Sequence, residues 1–594
     1  MVFGKHLNRL YFRYAHLFFF GLLALVLVDY YQLEIPELYR LVINGINEGQ
    51  VEIDGVLHTF NLPFLLDYVC LPMVGIILAM VVGRFLWRVC FFGAGIKAEK
   101  TLRGQMFDRA KDLSVHYYHE NKVGYMMSLF TNDLDTVQEC FCWGFMMFFD
   151  AALLGGIAIV KMARMNLLLT LFSLIPMAFL LLAGTIIGKY MTKKWDARQD
   201  AFSALSDFSQ ESFSGIAVIK AFVKEGIELL AFRKLNRRNE DANVELTKAS
   251  TLLHISVTLF VESVICVILG YGGYLVYKDV FNAGQLIEFI GYFTAIVWPI
   301  MAISELIDMS ARGKASLNRI SKLLDATPDV CDKEGVGTLE AVKGDITFKN
   351  LTFRYPGAAY DALSDVSFHI NAGENIGIIG ATGSGKTTIV DLILRTYNVD
   401  DGTLFVDGHD VNSVSIHSLR NFCAYVPQDN FLFSDTIESN VAFASDGKEA
   451  DAVKEAAKLA DIHENIEEFP EKYNTVLGER GVTVSGGQKQ RISIARALMK
   501  EAPILILDDA VSAVDTKTER TILGNLRRTR AGKTTILIAH RISTVEQMDK
   551  VLYIDDGKVV DFGTHEELYA RSEKYRRTVE LQKLENEKEE SVNV

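Results

Sequence analysis

Six long apolar runs set the first limit on what this chain can become. They cover Ala15–Leu33, Leu62–Val82, Cys140–Val160, Leu167–Ile187, Leu252–Leu275 and Leu286–Leu306. A helix needs about 20 apolar residues to cross a bilayer. These runs are apolar all round and gather charge at their flanks. The helices of a soluble core are amphipathic instead. The reading is a membrane domain of six transmembrane helices within residues 1–325.

The loops between the runs fix an orientation. Residues 94–138 hold Lys97, Lys100, Arg103, Arg109, Lys111 and Lys122, and residues 191–250 hold ten Lys and Arg. Lys5, Arg9 and Arg13 precede the first run, whereas loop 47–61 has no Lys or Arg. The pair Lys161 and Arg164 runs against this trend. The positive-inside rule places the N-terminus, both long loops and everything after Arg312 in the cytoplasm. Trp195, Phe202, Leu205, Phe208 and Phe213 recur at helical spacing, so the spans are expected to continue as helices below the membrane. The segment ahead of the first span leaves no room for a peptidase domain, and no cleavable signal peptide is read there.

Residues 326–343, from Ala326-Thr-Pro-Asp to Gly335-Val-Gly, read as a linker. Beyond it, β-branched strands alternate with helices: Ile376–Ile379, Leu404–Val406, Ile504–Leu507 and Thr535–Ala539. That alternation predicts an α/β domain over 344–575 with a largely parallel sheet. Residues 576–594 read as a charged tail, a solvated helix fraying at its end. At 594 residues one compact domain is excluded. A net charge of −13 makes nucleic acid an unsuitable partner. The seven cysteines are scattered, and Cys140-x-Cys142 is too closely spaced for zinc, so no disulfide framework or zinc site is expected.

The second half carries a phosphate-binding pattern. Gly380-Ala-Thr382-Gly383-Ser384-Gly385-Lys386-Thr387 matches G-x-x-x-x-G-K-[ST] between a strand, Asn375–Ile379, and a helix, Thr387–Leu394. The glycines let backbone N–H groups wrap a phosphate, with Thr382, Ser384 and Thr388 beside them. Lys386 supplies a cation, and the Thr387 hydroxyl suits Mg²⁺. Ile504-Leu-Ile-Leu507-Asp508-Asp509 is a buried strand ending in two carboxylates, of which Asp508 suits Mg²⁺. Val484-Ser485-Gly486-Gly487-Gln488 opens a helix, Lys489–Met499, whose N-terminus attracts anions. As a plain N-cap this segment would need only Ser485.

That last run resembles the signature sequence of ATP-binding-cassette (ABC) proteins. Other pieces resemble the same family in its order. Tyr355 is similar to the aromatic that stacks on adenine. Gln428 looks like the Q-loop residue that senses Mg²⁺ and couples to the membrane part. Ser512-Ala-Val-Asp515 resembles the D-loop, and His540 resembles the switch histidine on the γ-phosphate. Val123–Asp133 and Ser214–Phe222 look like the coupling regions of six-helix ABC exporters. The resemblance implies an ATP- and Mg²⁺-dependent half-transporter, working with a second chain in a bacterial plasma membrane with its nucleotide-binding domain cytoplasmic.

One position departs from the family, where the residue after the Mg²⁺ aspartate is normally a glutamate acting as general base. Here it is Asp509, one methylene shorter. The resemblance then implies a slow site on this chain, while Ser485, Gly486, Gly487 and Gln488 complete a fast site on an unlike partner. A homodimer with adequate hydrolysis is the alternative. Asp29, Asp150, Glu262 and Glu288 lie in or near the spans, where acids usually face a cavity or a partner. Lining a cavity they would suit hydrophobic cations, and interhelical hydrogen bonding or a place at the membrane interface is the alternative; the expected cargo is hydrophobic or amphipathic, drug-like compounds. Lipid or peptide export, and an ATP-gated channel or regulator, are the competing functions.

Overall fold

The computed structural model describes residues 4–53, 55–445, 450–478, 481 and 483–592. The chain divides into two compact units. One holds Met1–Lys111 and Val123–Ala326, and the other holds Asp112–Lys122 and Thr327–Val594.

The first unit is almost wholly helical. Among the described residues, five stretches are long and apolar enough to span a bilayer: Ala15–Glu48, Leu62–Asp112, Val123–Met165, Glu225–Tyr277 and Ala283–Asp325. The remaining expected span, Leu167–Ile187, lies within the helix Leu167–Ser214 and is apolar over Leu167–Met177. The side chains of 178 and 180–189 fall outside the description. Ile77, Leu78, Val81, Val82 and Phe85 are all exposed on one such helix. A continuous apolar surface of this kind belongs in lipid. The helices also outrun the bilayer. Leu71–Asp112 has 42 residues, or about 63 Å at 1.5 Å per residue, against an apolar layer of about 30 Å. The helix Leu167–Ser214, 48 residues long, likewise carries Trp195–Phe213 beyond its apolar stretch, as the periodicity predicts.

Helix pairs set the packing: Ala283–Asp325 lies along Leu134–Met165, and Glu225–Tyr277 along Leu167–Ser214. At the head of the first pair, Asp133 ends a π-turn, Leu129–Asp133. It accepts from Arg319 and, at 2.7 Å, from the Ser316 hydroxyl. Two acids of the spans find partners too. Asp29 is buried with its Oδ2 unpartnered, whereas Asp150 accepts from Trp298 Nε1 at 2.9 Å. Glu288 pairs with Arg40 at 3.0 Å and accepts from Tyr292 at 2.9 Å. Glu262 is exposed. Interhelical bonding accounts for two of these four acids, Asp150 and Glu288.

The second unit contains a six-stranded sheet. In spatial order its strands are Lys558–Gly563, Lys550–Asp555, Asn375–Ile379, Thr534–Ile538, Ile504–Asp508 and Cys423–Val426. All neighbours are parallel except the outer pair Lys558–Gly563 and Lys550–Asp555. The central strands are buried throughout, as continuous apolar runs in a covered parallel sheet should be. A smaller antiparallel sheet begins with Ile346–Phe353 and Leu363–Ile370. The last helix, Glu573–Val592, departs from a fully solvated tail: Tyr575 and Val579 are completely buried. Two apolar residues four apart share a helix face, so this face is held in the core.

Candidate nucleotide site

Four neighbouring parallel strands end at one edge, and the motifs follow those ends. Asn375–Ile379 leads into Gly380, Thr534–Ile538 into Ala539 and His540, Ile504–Asp508 into Asp509, and Cys423–Val426 into Gln428. The register aligns Ile538 with both Ile378 and Asp508, and Val426 with Leu507. The carboxyl edge of a parallel sheet is where α/β domains bind ligands.

The P-loop is shaped by its glycines. Gly383 and Gly385 hold φ of 81° and 99°, a conformation L side chains rarely adopt. A Cβ on Gly380 would run into the Ile554 carbonyl. Lys386 is buried at the head of the helix Lys386–Ile393. Its ammonium donates to the Gly380 and Ala381 carbonyls at 3.0 and 2.8 Å. Burial lowers its pKa, opposed by Asp508 and Asp509. Thr382 and Thr387 are exposed. Thr388 is buried, and its hydroxyl accepts from Tyr355 at 3.0 Å.

Two buried polar atoms here have no protein partner, Ser384 Oγ and Asp508 Oδ2. Burial raises the Asp508 pKa, and Asp509 adds to this; Thr387, Lys386 and His540 oppose it, Thr387 by a hydrogen bond. A buried polar group without a partner costs about 1–3 kcal/mol. A phosphate oxygen on Ser384 and a cation between Thr387 and Asp508 would satisfy both. The donor set thus fits Mg²⁺ and a polyphosphate.

Asp509 itself has φ of 51°. Its N–H donates to the Ile538 carbonyl at 3.1 Å. Its carbonyl accepts from Gln490 Nε2 at 3.2 Å and from the Ser512 hydroxyl at 2.9 Å. Gln490 also accepts from the Ala513 N–H at 2.9 Å. The backbone beneath the carboxylate is therefore pinned on both sides. The sequence reading gave Gln490 no role; it lies beside the signature residues, but spacing does not reveal which turn it faces.

The signature segment is built differently. Ser485 caps the helix Gly486–Met499 in a capping box: Gln488 N–H donates to Ser485 Oγ at 3.3 Å and Ser485 N–H to Gln488 Oε1 at 3.0 Å. Gln488 thus has a local capping task, which corrects the expectation that a plain cap needs Ser485 alone. Gly487 is needed for contact, since a Cβ would lie 2.8 Å from the Ala513 carbonyl. Ser485 and Gly486 are exposed. Asp515 likewise caps a helix, Thr516–Thr529, accepting from the N–H groups of Lys517 and Thr518 at 3.1 and 3.0 Å. Those bonds, Thr518's first, hold its carboxyl below its ordinary pKa.

Tyr355 is half-buried, edge-on to Phe353 and Tyr397 with ring centroids 5.0 Å away in each case. Its hydroxyl also reaches Asp391 at 3.4 Å, whose pKa burial raises to about 6. Tyr397 in turn lies 3.3 Å from His119 Nδ1. His119 belongs to Asp112–Lys122, the stretch that joins this unit from between two helices of the other. That stretch immediately precedes the Val123–Asp133 run singled out in the sequence. Gln428 is exposed.

Fold and site together define a membrane ATPase with a P-loop nucleotide domain, and sequence comparisons make the class specific. Residues 363–512 match the family described as ABC transporter, and residues 18–300 match the ABC transporter transmembrane region. The chain is 34% identical over 565 residues to the probable multidrug resistance ABC transporter ATP-binding/permease protein YheI of Bacillus subtilis (strain 168), covering 95% of each. It is 32% identical to the multidrug resistance-like ATP-binding protein MdlA of Escherichia coli (strain K12), over 97% of this chain and 96% of that protein. The ATP-dependent lipid A-core flippase of Syntrophus aciditrophicus (strain SB) is also 32% identical, over 84% of this chain and 83% of that one. Among solved structures, a bacterial Atm1-family ABC exporter with ATP bound superposes with a TM-score of 0.78 at 26% identity, covering 97% of this chain and 98% of that one.

The chain belongs to the ABC transporter family. It is a multi-pass membrane half-transporter of the exporter type, using ATP with Mg²⁺.

Proposed function

We propose that this chain is one half of a heterodimeric exporter for hydrophobic or amphipathic compounds, and that its own nucleotide site holds ATP more than it splits it. The observation carrying this reading is Asp509. Its side chain is one methylene shorter than the family's glutamate, and its backbone is tied to Ile538, Gln490 and Ser512. The main chain therefore has little freedom to advance the carboxylate. A misplacement of about 1 Å can lower a rate on the order of 10²-fold.

In this reading, Lys386 leaves its loop carbonyls for the β- and γ-phosphates, and Ser384 takes a phosphate oxygen. Thr387, Asp508 and Gln428 hold Mg²⁺, which neutralises phosphate charge. Thr382, Thr388 and the P-loop glycines line the phosphates, and Tyr355 stacks on adenine. His540 holds the γ-phosphate, and Asp509 orients the attacking water weakly. Ser485, Gly486, Gly487 and Gln488 present a helix N-terminus to nucleotide on the other chain, with Asp515 beside them. The exposure of Ser485, Gly486 and Asp515 supports that role.

A second surface supports pairing. At the elbow joining Leu167–Ser214 to Glu225–Tyr277, Phe213, Val218, Phe222 and Val223 are 74, 61, 69 and 81% exposed. Val223, β-branched, holds φ of 52° there, a strained conformation. An exposed apolar knuckle on a strained turn suits docking against a second subunit. ATP then closes the paired nucleotide domains by binding the closed state better. Cargo leaves the cytoplasm or inner leaflet of a bacterial plasma membrane.

The homodimer is favoured by one fact: Lys386, Asp508, His540 and a carboxylate at 509 are all present. The purified chain, alone and with a companion half-transporter carrying glutamate at the matching position, separates the two. Little ATP turnover alone and strong turnover in the pair supports the heterodimer; full turnover and cargo transport by two copies of this chain overturns it. Lipophilic-cation stimulation favours drug export over lipid export, and conductance without coupled transport identifies a channel.

A further inference from the structure

The backbone at His540 is gripped by a side chain from the far end of the sequence. Ile542–Val545 is a single helical turn, and its N-cap residue, Arg541, makes no side-chain bond to the first N–H groups. Such donors need partners. Ile542 N–H donates to Gln582 Oε1 at 2.8 Å, and Gln582 Nε2 donates to the His540 carbonyl at 2.8 Å. One side-chain amide therefore closes around Arg541, binding the residue before it and the residue after it.

Gln582 is aimed there by the helix Glu573–Val592. Tyr575 and Val579 are completely buried, and position 582 continues that face at helical spacing. The Tyr575 hydroxyl lies 2.8 Å from His565 Nδ1, and the Tyr553 hydroxyl 3.2 Å from Thr578 Oγ1. The opposite side of the loop is held by buried Glu519, which accepts from the Thr544 hydroxyl and pairs with Arg541 at 3.3 Å. His540 itself is exposed and carries its imidazole on this braced turn.

We propose that Gln582 is a positioning residue for His540, fixing the backbone from which the imidazole reaches the γ-phosphate of bound ATP. This rests on the reading of His540 given above. A clamp on His540 affects nucleotides with a γ-phosphate and leaves those without one untouched. A side chain that merely fastened the last helix would lower thermal stability and treat both nucleotides alike.

The test uses the full-length protein with Mg²⁺-AMP-PNP and Mg²⁺-ADP as probes, so hydrolysis plays no part. Gln582→Ala and Gln582→Met remove both hydrogen bonds, and methionine preserves the length that packs the helix. Both variants should weaken AMP-PNP binding about fivefold to tenfold, the worth of one to two modest hydrogen bonds, and leave ADP binding within about twofold. Gln582→Glu retains the acceptor for Ile542 N–H but loses the donor to His540, so it should fall between. Equal shifts for the two nucleotides, or none, overturn the proposal even if stability drops. His540→Ala separates the two layers. If it moves the AMP-PNP to ADP ratio and the Gln582 variants do not, only the clamp fails; if it leaves the ratio unchanged, the reading of His540 fails and the clamp with it.

Discussion

The P-loop and the signature segment carry the same kind of chemistry, backbone N–H groups at a helix N-terminus, yet they are finished to different degrees. Around the P-loop, Ser384 Oγ and Asp508 Oδ2 are buried without partners, and Lys386 is occupied by its own loop's carbonyls. The signature is self-sufficient: Ser485 and Gln488 satisfy each other, and Ser485 and Gly486 are exposed. The first is a cradle that needs a ligand to complete it. The second is a rigid fixture built to be offered. On the proposed reading, receiving and presenting nucleotide are separate tasks within one chain, and the shorter Asp509 would weaken only the receiving side.

The largest effect should come from emptying the cradle. Lys386→Ala removes the buried cation and should lower Mg²⁺-ATP affinity at this chain's P-loop about 100-fold, as two or more charge-assisted bonds imply. Photolabelling with an ATP analogue checks this. Asp509→Glu tests the asymmetry directly. It should raise ATP turnover of this chain without a companion about tenfold or more by restoring reach, and that of the assembled pair by no more than about twofold, since the companion's site is already fast. Because φ of 51° suits Asp better than Glu, the same change should slightly lower the unfolding temperature. No gain in turnover would show that geometry at 509 does not limit the rate.

Ser485→Ala removes the presenting cap and should destabilise its helix by about 1 kcal/mol. Turnover of the pair should drop severalfold, while photolabelling of this chain's own P-loop stays unchanged; equal losses in both would erase the distinction between the two segments. The smallest effect lies at Asp391, whose pKa is raised to about 6. A raised carboxyl favours the protonated fold, so stability is fullest below the unfolded value near 4 and declines as pH climbs through 6. Asp391→Asn should flatten that decline, giving a slightly higher unfolding temperature than the parent at pH 8 and no difference at pH 4.

Much of this was written locally. The apolar runs, the P-loop between strand and helix, and the carboxylates at the end of Ile504–Asp508 are contiguous patterns, and contiguous patterns survive reading without a fold. What escaped depends on register between distant segments. Gln490 reaches Asp509 only because a helix face and a strand end converge. Asp112–Lys122 joins the nucleotide unit through a tyrosine nearly three hundred residues later, with His119 and Tyr397 separated by 278 positions. Gln582 looked like part of a charged tail because burial at Tyr575 and Val579 is a property of the neighbours they meet. The capping task of Gln488 was hidden for a different reason: one residue serves local structure in a segment whose resemblance pointed elsewhere.

The elbow at Phe213–Val223 has a consequence for the cell. A greasy, strained turn left in water is the kind of feature that chaperones and proteases recognise. A copy left without a second subunit would carry its own mark for disposal, so that only paired chains would escape surveillance.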